Sequence, residues 1–278
     1  MEGWTLADRS WRIRNGADQG LTTVVAPAGG SSLLYRGTSS VPTDLRTAGW
    51  NHIGDPDSAS GYIFDCFQGH GDAKLFTATD PSGNRSNYLH TLDRTLHPAE
   101  LSNNSYIAVA PGGQWMVSGE WFTMNRLLVY PTPVLNPSAT ARGAKLPLAA
   151  VVRLNRCVRN VQGAAFIGDR TIVCSTDDLS PAQCEWPVPQ QLLQIQLDAP
   201  LDGSDRQGIV TCMGQLPGGP PGVGHSEVEG CDYDHQTGDL RVLVIPKNPL
   251  GRLLVVTYRY RRNDSSVRSL GDRRHRAR

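Results

Sequence analysis

The chain has 278 residues, with 27 Lys and Arg against 26 Asp and Glu, a formal net charge of +1. That balance argues against nucleic acid or an anionic membrane as partner, since both need a strongly basic surface, and no apolar run reaches the roughly 18 residues of a membrane span. Hydrophobic residues at 39% and charged residues at 19% suit a folded domain, while 29 Gly and 19 Pro point to many short elements joined by tight turns rather than a helix bundle.

Met1 to Asp8 has neither a basic nor an apolar leader region, so no secretion signal is expected there. Short β-rich runs bounded by Gly, Asp or Pro then follow one another. Tyr62–Phe67, Ala73–Ala78, Ser105–Ala110 and Gln114–Ser118 come first; Arg126–Tyr130, Leu148–Leu154, Gly163–Ile167 and Thr171–Ser175 follow. Leu192–Leu197, Ile209–Cys212, Leu240–Ile245 and Leu253–Tyr260 complete the series. Asp80-Pro81-Ser82-Gly83 and Pro111-Gly112-Gly113 read as hairpin connectors. No stretch of a dozen residues has good helical periodicity, so the class is all-β.

The six cysteines are Cys66, Cys157, Cys174, Cys184, Cys212 and Cys231, with no C-x-x-C pair to suggest a zinc ribbon or redox motif. Cys174 and Cys184 flank a polar loop that a disulfide could close; the alternative is that the cysteines are small buried apolar side chains. From 261 to 278 the chain is Arg-rich and nearly devoid of apolar residues, and reads as a disordered, solvated tail on a single domain spanning 1–260.

Five places repeat one pattern, a polar residue followed by or close to Gly at the start of a strand. They are Asp18-Gln19-Gly20, Asn51-His52-Ile53-Gly54-Asp55, Asn103-Asn104-Ser105, Val161-Gln162-Gly163 and Val228-Glu229-Gly230. Each interval after the first can hold a four-stranded antiparallel unit, and such units repeated radially make a β-propeller. The expected fold is therefore a five-bladed propeller, with six blades or a sandwich as alternatives. Ser10–Arg14 would supply the outer strand that closes the ring. Gln19, His52, Asn104, Gln162 and Glu229 would ring a central funnel, with Gly beside them letting the innermost strands approach.

These motifs, with the segment Asn103 to Trp121 and the strand after Glu229-Gly230, resemble the inner strands of an actinobacterial, often secreted, β-propeller family that is mostly uncharacterised. The resemblance spans about residues 15–260. More distantly, Glu229-Gly230 before Asp232-Tyr233-Asp234 is similar to the Glu-Gly motifs of calcium-containing propeller lactonases and esterases. There the Glu is a central metal ligand.

The expected function is small-molecule chemistry by general acid–base catalysis: hydrolysis, elimination or cyclisation. His52, whose ordinary pKa is about 6.5, would shuttle the proton, and Glu229 would complement it or anchor the ligand. Gln19, Asn104 and Gln162 would orient carbonyl or hydroxyl groups. Period-two alternation places His225, Glu227 and Glu229 on one strand face, and Glu120 with Trp121 ends a strand at the rim. Calcium wants six to eight oxygens, so one carboxylate among five ring positions makes a poor cage, and no cofactor is expected. The rival reading is a non-catalytic or calcium-stabilised propeller binding a carbohydrate or a protein. A monomer is expected, and the compartment is left open.

Overall fold

The computed structural model describes residues 1–14, 18–26, 29–69, 71–101, 104–139, 145–217, 226–247 and 253–263. The strands are β1 (Trp4–Ile13), β2 (Asp18–Val25), β3 (Ser31–Gly37), β4 (His52–Ile53), β5 (Asp57–Ala59), β6 (Tyr62–Gln68), β7 (Ala73–Thr79) and β8 (Arg85–Thr91). They continue as β9 (Ala108–Val109), β10 (Trp115–Ser118), β11 (Thr123–Pro131), β12 (Ala150–Arg159), β13 (Val161–Gly168) and β14 (Thr171–Thr176). The last are β15 (Gln191–Leu197), β16 (Arg206–Gln215), β17 (Ser226–Asp234), β18 (Asp239–Pro246) and β19 (Leu254–Arg262). One short helix, α1 (Thr43–Thr47), and two single 3-10 turns are the only helical elements among the described residues. The fold is all-β, and no helix is long and apolar enough to cross a membrane.

Strands β17, β18, β19 and β1 form one sheet, β2 and β3 a second, and β4 to β8 a third. The fourth has eight strands, in the order β13-β14-β15-β16-β12-β11-β10-β9. It is two antiparallel meanders joined where β16 runs parallel to β12, and its end strands β9 and β13 lie against each other, so it bends back nearly on itself. The N-terminal strand pairs antiparallel with the C-terminal β19, Trp11 opposite Val256, as the sequence led one to expect. Strand β19 runs two residues past the expected domain boundary at 260; positions 264–278 of the expected tail lie outside the described residues.

Period-two alternation sends successive side chains of one strand into different cores. In β11, Leu127 and Val129 join one buried cluster while Leu128 and Tyr130 join another. In β18, Val242 and Val244 pack towards β14 and β15, whereas Leu243 and Ile245 pack against Leu21 of β2. This is why these strands read as unbroken apolar runs: both faces are covered, and each buried Val or Leu contributes roughly 1.5–3 kcal/mol. Five such clusters separate the sheets and the two meanders, and helix α1 contributes Leu45 to the one beside β6 and β7.

Two expectations need correction. The disulfide joins Cys157 to Cys184, Cα atoms 5.4 Å apart, not Cys174 to Cys184. The 3-10 turn Pro181–Cys184 packs on β12, which carries Cys157, whereas Cys174 sits inside β14 between Ala164 and Leu193 of the neighbouring strands. The run expected from Ser105 is a strand only at Ala108–Val109. Upstream of it the polar groups bond elsewhere: Ile107 N–H donates to the Asp55 carbonyl and the Asn104 amide to the Val161 carbonyl.

Candidate functional site

Five strand starts meet at the middle of the molecule. Strands β2, β5, β9, β13 and β17 pack against one another in that cyclic order. At their centre lies Asp55, fully buried, in the break between β4 and β5. Its two carboxyl oxygens accept hydrogen bonds at 3.0 Å from the N–H of Leu21 and the N–H of Cys231. A Cβ added to Gly20, Gly163 or Gly230 would overlap this carboxyl group, so these glycines are required by close approach to Asp55. Burial pushes the Asp55 pKa well above the usual carboxylate range, and repulsion from Asp232 and Asp57 adds to the rise. The Asp55 carboxyl group thus fills the space between the five strand starts.

On one side of this plug lies a cavity of about 290 Å³. Its walls take one residue from each of the five segments that meet here: Gln19 of β2, His52 of β4, Asn104 upstream of β9, Gln162 of β13 and Glu227 of β17. Trp121, Gln68, Ser105 and Gly54 complete them. The side chains of Gln19, His52 and Gln162 are half-buried and make no hydrogen bond to the described residues. Burial lowers the His52 pKa, so the imidazole is neutral at pH 7 and can both accept and donate. Asn104 is different. Its amide donates to the Val161 carbonyl at 2.8 Å, and its oxygen accepts from the Ser105 N–H at 2.8 Å, so it ties the β13 start to its own segment. Ser105 in turn donates to the Gln68 side-chain oxygen at 3.2 Å.

Other expected site residues are placed apart from this cavity. Glu229 does not line it: the side chain is 1% exposed, and its Oε2 has no hydrogen-bond partner. Burial, then repulsion from Glu227 and Asp177, pushes its pKa well above the ordinary value against the pull of Arg14. The alternation expected along this strand is interrupted by a register shift between Val228 and Cys231, and Glu227 and Glu229 face different surroundings. Glu120 is also buried, and both its oxygens accept from Arg126 at 2.8 Å, so of the pair Glu120 and Trp121 only the indole reaches the cavity. His225 lies outside the described residues.

Sequence reasoning missed Gln68 and Ser105 as lining residues and Asp55 as the plug, and it singled out Glu227 only as sharing a strand face with His225 and Glu229. Alternation along one continuous strand would say only that Asp55 faces away from His52, whereas the strand is interrupted over 54–56, between β4 and β5. The available signal was the glycines. Three of them at equivalent strand starts demand a common group to pack against.

A second cavity, about 270 Å³, lies on the other side of Asp55, lined by residues such as Asp57, Val109, Phe166 and Asp232. Its carboxylates are engaged. Asp57 accepts from the N–H groups of Ser58 and Val109, and Asp232 from Thr23 and Arg241, so each ties neighbouring strands together. Burial raises the Asp57 pKa to about 7. Among the described residues no three His, Cys, Asp or Glu side chains are grouped to hold a metal ion.

Sequence comparison matches the chain to no family model and to no curated protein.

Proposed function

We propose that the cavity above Asp55 is the funnel of a five-bladed β-propeller and binds a small organic molecule for general acid–base chemistry. The blades would be β2–β3, β4–β8, β9–β12, β13–β16 and β17–β19 with β1, the first of them cut to two strands. The cyclic packing of the five strand starts and the five separate cores between successive units support this architecture. One observation carries the functional reading: Gln19, His52 and Gln162, from three different strands, bring unengaged polar groups to one cavity. Polar groups that face a cavity without protein partners are paired there by water and can exchange it for a ligand.

In this reading His52, neutral at pH 7, takes a proton from the substrate or from water and returns it to the leaving group. Glu227 is the carboxylate on the same wall and stabilises the imidazolium that forms. Glu229 stays buried behind this wall and out of the chemistry, and Trp121 covers an apolar part of the ligand. The reaction class stays that expected from the sequence: hydrolysis, elimination or cyclisation, with no bound cofactor required. The test is turnover of a panel of lactones, esters and glycosides by the wild type and His52→Ala. Loss of roughly 10²–10⁴ in rate with an unchanged circular dichroism spectrum is expected. Undiminished turnover in the variant would remove His52 from the chemistry.

A further inference from the structure

We infer that the funnel takes a neutral, polyhydroxylated ring, the size of a monosaccharide or cyclitol, entering from one end only; this rests on the funnel being the ligand site. Among the described lining side chains four are carboxamides, Gln19, Gln68, Asn104 and Gln162, and none is Lys or Arg. A carboxamide carries an acceptor oxygen beside two N–H donors, which matches two adjacent hydroxyl groups, each able to donate and accept. The amides of Gln19 and Gln162 make no hydrogen bond to the described residues and are held on separate strands, so together they address two edges of a ring.

Charged ligands fit the walls worse. An anion would find no cationic side chain among the described lining residues, and burying it without one is costly. A cation would have Glu227 alone, and that carboxylate already has the Lys247 ammonium 3.9 Å away. A hydroxyl group makes no such demand and can donate to the same carboxylate. Trp121 supplies a flat apolar face. A ring that presents C–H bonds on one face and hydroxyls around its edge uses both kinds of surface at once, whereas an aliphatic ligand would strand the amides unpaired.

Size and closure narrow the class further. About 290 Å³ is at the small end of ligand pockets, which run about 300–1,000 Å³. Asp55 and the glycines packed against it block the axis, so a polymer cannot thread through and only one ring or a chain end can seat.

Saturation-transfer NMR on the full chain tests this with five neutral probes (D-glucose, D-galactose, D-mannose, D-xylose and myo-inositol). D-gluconate is the anionic probe, D-glucosamine the cationic one and cyclohexane-methanol the apolar one. At least one neutral probe should show transfer, weakened about tenfold or more by Gln162→Leu, the loss expected when a buried ligand hydroxyl loses its partner. Gln19→Leu is the second variant should Gln162→Leu fail to fold. Transfer only to the charged or apolar probes, sensitive to the same substitutions, would overturn the ligand class and leave the funnel standing as a binding site. Neutral-probe transfer indifferent to both substitutions would place binding elsewhere and overturn the inference. No transfer to any probe would overturn both this inference and the funnel reading.

Discussion

Removing the Asp55 carboxyl group is the perturbation that the architecture makes most exposed to test. Asp55→Ala leaves the N–H groups of Leu21 and Cys231 without an acceptor at a site that is fully buried. Each orphaned buried donor costs about 1–3 kcal/mol, so the variant should lose about 2–6 kcal/mol, a large part of the 5–15 kcal/mol of a typical domain. Asp55→Asn keeps the volume and one acceptor oxygen but turns its amide nitrogen towards the second donor, so it should cost about half as much. Urea unfolding followed by tryptophan fluorescence measures both, provided the slope is unchanged. A loss below about 1 kcal/mol for the Ala variant would refute the plug. The pH dependence is a separate check. The Asp55 pKa is raised in the folded state above its unfolded value of about 3.8, so its proton stabilises the fold at low pH, and that contribution is lost as pH rises through the folded pKa. The penalty of Asp55→Asn should therefore shrink as pH rises from about 4. A penalty that grows with pH would mean that Asp55 is held as a carboxylate.

Gly163→Ala should destabilise by about 1–3 kcal/mol or more, because the added Cβ meets the Asp55 carboxyl and the backbone at Gly230 and Cys231, while Gly112→Ala, which faces open space, should leave the urea midpoint unchanged. Glu120→Gln removes the counter-charge of the buried Arg126 guanidinium, which keeps the Pro98 and Ala99 carbonyls as acceptors, for a loss of about 3 kcal/mol in the same assay. Cys184→Ser should cost about 2–4 kcal/mol under oxidising conditions and nothing further on adding reductant, whereas Cys174→Ser should leave the reductant sensitivity of the wild type in place. His52 has its pKa lowered by burial, so a reaction that uses it as a base should keep its rate below pH 6.5 and fall only at more acidic pH. A pH–rate profile that already falls above pH 6.5 would contradict this.

Strand content and turn positions were legible because they rest on local chemistry. Asp80-Pro81-Ser82-Gly83 was read as a hairpin turn, and in the structure the Asp80 carboxylate accepts from the N–H groups of Ser82 and Asn84 while Gly83 takes a positive φ of 87°. The repeat of a polar residue near Gly was legible too, and it brought out Gln19, His52, Asn104 and Gln162, four residues that share one cavity. Strands β3 and β8 were missed, as was α1. Exposed polar side chains blur the period of two along Arg85–Thr91, and α1 is a single turn held by Leu45 packing on its neighbours.

What the sequence by itself determined is the class and the set of strand starts, since alternation, turn residues and Gly spacing are properties of neighbours along the chain. Only the tertiary structure decided which of those polar groups remain available. Glu229 and Glu120 look as reactive in the sequence as His52. Burial shuts the first away and raises its pKa, and Arg126 occupies the second. The same holds for the cysteines: Cys157 lies 27 residues from Cys184 along the chain, and the packing of a 3-10 turn on β12 makes them partners. Asp55 shows the physical reason most directly. Its neighbours in the chain say only that it follows a glycine, whereas its hydrogen bonds come from residues 34 positions upstream and 176 downstream.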